Sequence, residues 1–281
     1  MSKYNYNKDY FSKVDTPDKA YWLGFLCADG CINRLYKNDK LKAMTLELSL
    51  CEQDKGHLEK FAKSINTNVP IKKKISHCGD KSYTSYRITI CCTKMCYDLI
   101  SLGCTPQKTY NLRLPNEKQV PKEFIRDYLR GFFDGDGCIF RHNRIALTLT
   151  GTSGMLNDIS DFLYSNKIIT KRVTVNKDYR RDNTYEFRLY GNNCYWFLNY
   201  IYRDSDIYLD RKYQKYFETY NEPLNDIHGI YFDKRINKYV ITIGCDYSKN
   251  TVGVTDDINK AIQLRKEAEY EQNLNELKLP S

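Results

Sequence analysis

The chain repeats one pattern of thirteen residues, and this duplication restricts its fold more than any other feature. AYWLGFLCADGCI, ending at Ile32, aligns without a gap with DYLRGFFDGDGCI, ending at Ile139, so Asp29 corresponds to Asp136, 107 residues later. Each copy follows a proline suited to the first position of a helix and ends at a glycine suited to a left-handed cap. These residues are Pro17 and Pro121, and Gly30 and Gly137. We therefore predict a helix in each copy.

The residues after each copy predict the same order of elements. MTLELSL (44–50) and IALTLT (145–150) alternate apolar and polar residues, which is typical of strands with one buried and one open face. Helices are then predicted at Asp54–Ile65 and Ser153–Ser165, basic hairpins at 71–90 and 171–190, and helices at Lys94–Leu102 and Asn193–Tyr202. The predicted fold class is α+β, with two αββαββα halves related by a pseudo-twofold axis. The expected boundaries are 1–115 and 116–221, with a different module at 222–281.

Basic residues concentrate on the polar strands that recur in both halves. The chain has 44 Lys and Arg against 35 Asp and Glu, a net charge of +9, which favours an anionic partner such as nucleic acid. Two open, basic sheet faces would form one long concave binding surface, although a merely solvated sheet face is the alternative interpretation. The candidate contact residues are Lys72, Lys73, Lys74, Arg87, Arg172 and Arg188.

Small residues lie four apart in each motif helix, and such spacing allows two helix backbones to approach closely. These helix-interface residues are Gly24, Ala28, Gly131 and Gly135. If the helices pack together, Asp29 and Asp136 meet where both helix dipoles are negative, and the site should attract Mg²⁺, with Mn²⁺ as the alternative. Metal-assisted phosphodiester hydrolysis is the predicted chemistry, whereas the alternative treats both acids as turn residues. Asp134 has no acidic counterpart and is expected to support the helix interface without binding metal.

WLGFLCADG (22–30) and LRGFFDGDG (129–137) resemble the two motifs of single-chain LAGLIDADG homing endonucleases. The resemblance covers roughly Lys19–Phe217. It implies a saddle-shaped fold that cuts both strands of a long DNA site, leaving short 3′ overhangs across the minor groove. It also implies that the last acid of each motif, Asp29 or Asp136, binds metal. The departures from the motif, at Trp22, Cys27 and Gly135, remove no metal ligand.

Lys108 and Lys212 are further catalytic candidates, because the same family often carries a basic residue near each catalytic centre. Lys108 follows Asp29 by 79 residues and Lys212 follows Asp136 by 76, a near-equality that is internal to this sequence. A cation at these positions would stabilise negative charge developing on a phosphate. An exposed lysine without a catalytic role is the alternative for each.

The pattern changes after residue 221 to three short strands and a helix, with a turn near Ile236–Asn237 and helical composition over Ala261–Glu271. This module resembles the small Apetala/ethylene-response-factor type of DNA-binding domain, most clearly over Gly229–Ile243. Gly253–Val254 stands where the usual glycine-aromatic turn would be. The resemblance implies DNA contacts, and a small stabilising appendage is the alternative. The candidate contact residues are Lys234, Arg235, Lys238 and Tyr239.

The expected protein is a monomer in the cytoplasm, because no signal peptide or apolar run of membrane-spanning length is apparent. The 11 cysteines have no regular spacing and are expected to be free thiols, and Cys91, Cys92 and Cys96 lack the partners that zinc requires. Two other functions stay open, an RNA-binding intron maturase and a DNA-binding regulator that does not cleave. Intein splicing is not expected, since the chain begins at Met1 rather than at a splice-junction Cys or Ser.

Overall fold

A computed structural model describes residues 4–79, 81–141, 145–179, 181–221, 227–244 and 250–276. The predicted α+β class and the pseudo-twofold pair of αββαββα halves are confirmed, as are the three strands and one helix of the small C-terminal module. Both halves contain a four-stranded antiparallel sheet of the same strand order. The duplication in the sequence is therefore a duplication of the fold.

The first half follows the predicted order of elements. They are α1 (Pro17–Asp29), β1 (Gly30–Lys37), β2 (Lys40–Cys51), α2 (Lys55–Ser64), β3 (Lys72–Cys78), β4 (Lys81–Cys91) and α3 (Thr93–Ser101). Its sheet has the order β1-β2-β4-β3, and a single helical turn, α4 (Lys108–Asn111), follows. Leu46 and Leu48 of β2 are buried, as the alternating pattern predicts.

The second half repeats this arrangement. Its elements are α5 (Ile125–Asp136), β5 (Gly137–Arg141), β6 (Ile145–Gly151), α6 (Ser153–Ser165), β7 (Asn176–Lys177), β8 (Tyr185–Tyr190), α7 (Gly191–Tyr202) and α8 (Asp210–Asn221). Its sheet has the order β5-β6-β8-β7. Leu147 and Leu149 of β6 are buried, like their counterparts in β2.

Three local predictions are wrong. Gly30 and Gly137 have extended backbones (φ −72° and −89°), not left-handed caps, because each helix runs directly into a strand. Glycine is needed there for space, since a Cβ on Gly137 would lie 2.3 Å from the Phe133 ring.

Pro121 precedes a short 3-10 turn (Lys122–Phe124), not the first turn of α5. The second basic hairpin forms strand only over β7 and β8, leaving Arg172 outside the sheet.

Helices α1 and α5 form the centre of the molecule. The segment from Ala20 to Cys27 is buried on all sides, as expected of a helix with apolar residues around its whole circumference. Thr16 begins α1 by accepting a hydrogen bond from the backbone N–H of Lys19, and Pro17 occupies the first turn. Each half therefore buries its motif helix against the other half.

The C-terminal module contains β9 (Ile230–Asp233), β10 (Lys238–Ile243), β11 (Asn250–Thr255) and α9 (Ile258–Glu276). The turn between β9 and β10 is where the sequence predicts it, with Asn237 at φ +53°. The module packs on α7, where Trp196 lies in a small apolar cluster with Ile230 and Ile241. Within the described ranges, no helix has the length and apolar character needed to cross a membrane.

Candidate active site

The two motif helices interlock through their glycines. A Cβ atom built on Gly24 would lie 2.0 Å from the carbonyl oxygen of Tyr128, and one built on Gly131 would lie 1.9 Å from the carbonyl oxygen of Tyr21. These contacts are reciprocal, because Gly24 and Tyr21 correspond to Gly131 and Tyr128 in the other half. Backbone therefore touches backbone, as the spacing of small residues predicts.

The interlock brings the C-terminal ends of α1 and α5 together. A Cβ on Gly135 would lie 2.2 Å from the Cβ of Ala28 and 3.4 Å from Oδ2 of Asp29. Burial and the neighbouring charge of Asp29 raise the pKa of Asp136 to about 6. Burial among neighbouring atoms also raises the pKa of Asp29. Part of the Asp29 surface is nevertheless exposed to solvent. The last acids of the two motifs thus form one electrostatically coupled pair.

Two lysines cap the helices that carry these acids. Lys108 donates hydrogen bonds from Nζ to the carbonyl oxygens of Leu26 (2.9 Å) and Ala28 (2.5 Å). Lys212 does the same to Phe133 (2.8 Å) and Asp134 (2.6 Å) at the end of α5. Cations are favourable at helix C-termini, where carbonyl groups lack intrahelical partners. At least part of the positive charge that the sequence requires at these acidic helix ends is therefore supplied by the protein.

The two lysines have different surroundings. Lys212 is only 2% exposed, and burial lowers its pKa to about 8. Lys108 is half-buried and lines a cavity of about 180 Å³ that opens beside Asp136. The pseudo-twofold site is consequently symmetric in its hydrogen bonds and asymmetric in its access to solvent.

Asp134 lies beneath the site and receives three hydrogen bonds. The donors are the hydroxyls of Tyr21 (2.7 Å) and Tyr202 (2.5 Å) and the backbone N–H of Leu209 (2.8 Å). Its carboxylate is fully buried, and His57 Nε2 extends the network at 3.0 Å from the Tyr21 hydroxyl. Tyr21 belongs to α1 and Tyr202 to α7, so Asp134 ties the two halves together. This geometry agrees with the interpretation of Asp134 as a support for the interface.

Two arginines near the carboxylates were not identified from the sequence. Arg211 binds Asp54, with its Nε 3.0 Å from both carboxylate oxygens, and Asp54 is buried. Arg181 lines the same cavity as Asp136 and Lys108 and opposes the rise in the pKa of Asp136. The sequence marks these two arginines only weakly as site residues. Arg211 is simply the neighbour of Lys212, and Arg181 lies in a long basic stretch.

The candidate nucleic-acid contacts of the first half lie on neighbouring strands. Lys72 pairs with Arg87 across β3 and β4, and Lys72, Lys73 and Lys74 are all exposed on the edge strand. Arg87 lies 3.5 Å from Glu47 on the same sheet. In the second half, Arg188 is exposed on β8 and forms an ion pair with Glu186 at 2.6 Å. By strand register, Glu186 and not Arg188 is equivalent to Arg87.

The remaining candidates lie elsewhere. Arg172 forms an ion pair with Asp161 of α6 at 2.6 Å and stacks on a helical tyrosine, so it lies with the helices. Lys234 and Arg235 are exposed in the turn between β9 and β10, and Lys238 is exposed at the start of β10. Tyr239 is half-buried beside Phe232, with 5.0 Å between ring centroids.

Residues 123–202 match a family model described as a LAGLIDADG-like domain. This range runs from the turn before α5 to the end of α7, so the match lies within the second half.

Several solved structures are similar to this chain, among them two LAGLIDADG nucleases bound to DNA. One is the LAGLIDADG meganuclease I-AabMI bound to uncleaved DNA, with 14% identity and a TM-score of 0.46, covering 75% of this chain and 94% of that one. The other is the I-SmaMI LAGLIDADG homing endonuclease bound to cleaved DNA, with 14% identity and a TM-score of 0.47, covering 75% and 90%.

A curated protein of Methanocaldococcus jannaschii, named "Probable translation initiation factor IF-2", is 23% identical over 179 residues. The match covers 60% of this chain and 13% of that protein.

Proposed function

We propose that this chain is a site-specific DNA endonuclease that hydrolyses both strands of a long target with the help of divalent metal ions. The observation that supports this most strongly is the convergence of Asp29 and Asp136 at the ends of two interlocked helices. The paired basic residues of β3 and β4 in the first half, and the match of residues 123–202 to a LAGLIDADG-like domain, support it further. The proposed products carry short 3′ overhangs, as the motif resemblance implies.

The donor set fits Mg²⁺, with Mn²⁺ as the alternative. Among the described residues, no three His, Cys, Asp or Glu side chains converge, so the protein offers two carboxylates rather than a complete cage. Mg²⁺ is characteristically held by one or two carboxylates together with substrate phosphates. Asp29 and Asp136 would hold the metal, which would activate a water and stabilise the leaving oxygen. DNA phosphates would then supply the remaining ligands.

The protein's own groups position and balance the charges of this site. The interlocked glycines fix the spacing of the two carboxylates, and such fixed geometry avoids an entropic cost when substrate binds. Lys108 and Lys212 hold positive charge beside them, where it would stabilise charge developing on the scissile phosphates. Asp134 keeps both helix ends in register through its tyrosine partners.

DNA would lie across the polar faces of the two sheets. Lys72, Lys74 and Arg87 share one face of the first sheet, because their strands pair in register there. Arg188 lies on the corresponding face of the second sheet, two residues from the position equivalent to Arg87, which Glu186 occupies. We further propose three functional units, 1–115 and 116–221 for the two halves and 222–281 for a module whose exposed turn at Lys234 and Arg235 contacts DNA.

The affinity for duplex DNA should fall steeply with salt, because bound phosphates release counterions when a basic surface contacts them. We expect a loss of about 10³-fold or more between ~50 and ~200 mM salt, measured by fluorescence anisotropy. Lys72→Gln and Lys74→Gln should each reduce the slope of log affinity against log salt by about 1. Arg172→Gln is the matched control, since it removes one charge from the helical layer and should leave the slope unchanged. An affinity that does not change with salt would contradict the proposal that the basic sheet faces bind DNA phosphates.

Lys212→Met and Lys108→Met should each slow cleavage by about 10²- to 10³-fold, because each removes a preorganised cation from the reacting phosphates. Single-turnover cleavage rates at saturating protein would measure this. DNA affinity should change little, since both lysines bond helix carbonyls at the site and lie off the open sheet faces.

Lys215→Met is the control for these lysine variants. Lys215 lies on the same helix as Lys212 and also donates to a carbonyl, that of Ile139, which belongs to β5 rather than to the end of α5. Its replacement removes the same charge from the same helix, together with a hydrogen bond to a carbonyl outside the end of α5. Equal rates for Lys212→Met and Lys215→Met would exclude a catalytic role for Lys212.

The proposed function is tested by incubating the full chain with a randomised duplex DNA library, with Mg²⁺ or with a chelator. Sequencing of the new ends should reveal discrete double-strand breaks at one long consensus, only in the presence of metal. Binding without cutting in either Mg²⁺ or Mn²⁺ would favour the regulator. Preferential binding of structured RNA would favour the maturase.

A further inference from the structure

A cavity of about 300 Å³ opens where α5, α7 and α9 meet, away from the carboxylate pair. Arg126 lines it from the first turn of α5, ten residues before Asp136. At 1.5 Å per residue, these two positions are about 15 Å apart along the helix axis. The cavity is therefore separate from the proposed catalytic centre and joins the second half to the C-terminal module.

Three cationic side chains line this cavity, one from each helix or its end. They are Arg126, Arg203 and Lys266. No Asp or Glu is present among the described residues that line it. Arg203 has a long ion pair, 3.4 Å, with exposed Asp204, and for Lys266 the described chain shows only the face of Trp196, 5.9 Å away. Like charges thus share one concave space without a matching negative group inside it.

Arg126 has a donor that nothing in the described chain satisfies. Its Nε is buried and lacks a hydrogen-bond partner. Buried donors in proteins are nearly always paired, so the guanidinium nitrogen of Arg126 is available to a ligand that enters the cavity. Burial also lowers the pKa of Lys266, as expected of a cation that lacks a counter-charge.

These cations are not what attaches the module to the second half. That role belongs to Asn192, which hydrogen-bonds His228 and Glu269, and to Trp196, whose Nε1 donates to Glu269 at 3.4 Å. The apolar cluster around Trp196 adds to this attachment. Arg126, Arg203 and Lys266 lie at the same junction, and no acidic residue among the described lining residues pairs with them inside the cavity.

From this geometry we infer that the junction of α5, α7 and α9 is a binding site for a phosphate-bearing ligand, held by Arg126, Arg203 and Lys266. Arginine presents a planar fork of donors that matches phosphate oxygens, and lysine adds a point charge. A cavity of about 300 Å³ lies at the lower end of the range for small-ligand sites, so one nucleotide or one backbone unit would fit. The inference is independent of DNA cleavage at the carboxylates.

Thermal unfolding of the full chain tests this site with three probes at constant ionic strength. The probes are inorganic phosphate, deoxyadenosine monophosphate and a short single-stranded oligonucleotide without a terminal phosphate. At about 100 times its Kd, a ligand of the native state should raise Tm by ~5 °C. Arg126→Met and Lys266→Met should each abolish the shift, because they remove the phosphate contacts. Lys266→Met should also raise the Tm of the ligand-free protein, because it relieves the burial of a cation.

Lys260→Met is the matched control, since Lys260 is exposed on α9 outside the cavity. It should keep the full ligand shift. If Arg126→Met fails to fold, Arg203→Gln at the exposed rim should still weaken the shift. A shift with the oligonucleotide alone, lost in Lys266→Met, would support the phosphate site and assign it to a nucleic-acid strand. No shift with any probe, or a shift that all variants retain, would overturn the inference.

Discussion

Replacing Gly131 with alanine should lower the free energy of unfolding by more than about 4 kcal/mol, a size seen only when a core contact is destroyed. The new Cβ would lie 1.9 Å from the Tyr21 carbonyl oxygen and 2.8 Å from the Phe25 backbone nitrogen. Both obstacles are backbone atoms of a buried helix, so no side chain can rotate away to make room. Gly24→Ala should behave alike, since its Cβ would meet Tyr128 at 2.0 Å.

Gly56→Ala provides the matched control for this prediction. Gly56 also lies in a helix, α2, but nothing lies within 4 Å of its added Cβ. Its replacement should raise the free energy of unfolding by about 0.5 kcal/mol through helix propensity alone. Urea unfolding curves of the three variants would measure the difference. If Gly131→Ala unfolded with the same free energy as the wild type, the two helices would not be in backbone contact.

Asp136→Asn should abolish DNA cleavage and also stabilise the metal-free protein. The folded carboxyl holds its proton up to pH about 6, whereas the unfolded one releases it near 3.8. The unfolded state therefore ionises first, and wild-type stability falls as pH rises through that window. Asparagine carries no charge, so at neutral pH the variant should gain on the order of 2 kcal/mol after allowance for solvent screening.

Several controls distinguish this effect from a general change in packing. The gain should vanish below about pH 4, where Asp136 is protonated in the folded and in the unfolded state. Mg²⁺ should raise the Tm of the wild type and not that of Asp136→Asn, because the metal compensates the same repulsion. Asp29→Asn should act in the same direction, since burial also raises the pKa of Asp29. A variant that lost both cleavage and stability would point to a structural role for the carboxylate.

The sequence predicted the central pairing because the duplication carries its own geometry. Gly24 and Gly131 occupy the same position in two copies of one motif, and only close helix contact explains small residues there. The similar offsets of Lys108 and Lys212 from the two acids indicated related positions. The atoms that these lysines bond, the last carbonyls of α1 and α5, depend on loop paths that local sequence does not specify.

Other features depended on tertiary contacts and were missed or misjudged. Gly30 and Gly137 resembled left-handed caps, yet the strands that begin immediately after them require extended backbone. Arg172 lies in a basic stretch, but its pairing with Asp161 of α6 draws it to the helical layer. The bond between Arg211 and Asp54 spans 157 residues and leaves no trace in local spacing.

The most direct test of the account compares the ends that wild type and Asp136→Asn produce from one randomised duplex DNA library in Mg²⁺. The wild type should yield discrete double-strand ends with short 3′ overhangs at a single long consensus, and the variant should yield none while still binding that consensus. Identical ends from both proteins would contradict the central claim that the paired carboxylates of α1 and α5 perform the hydrolysis.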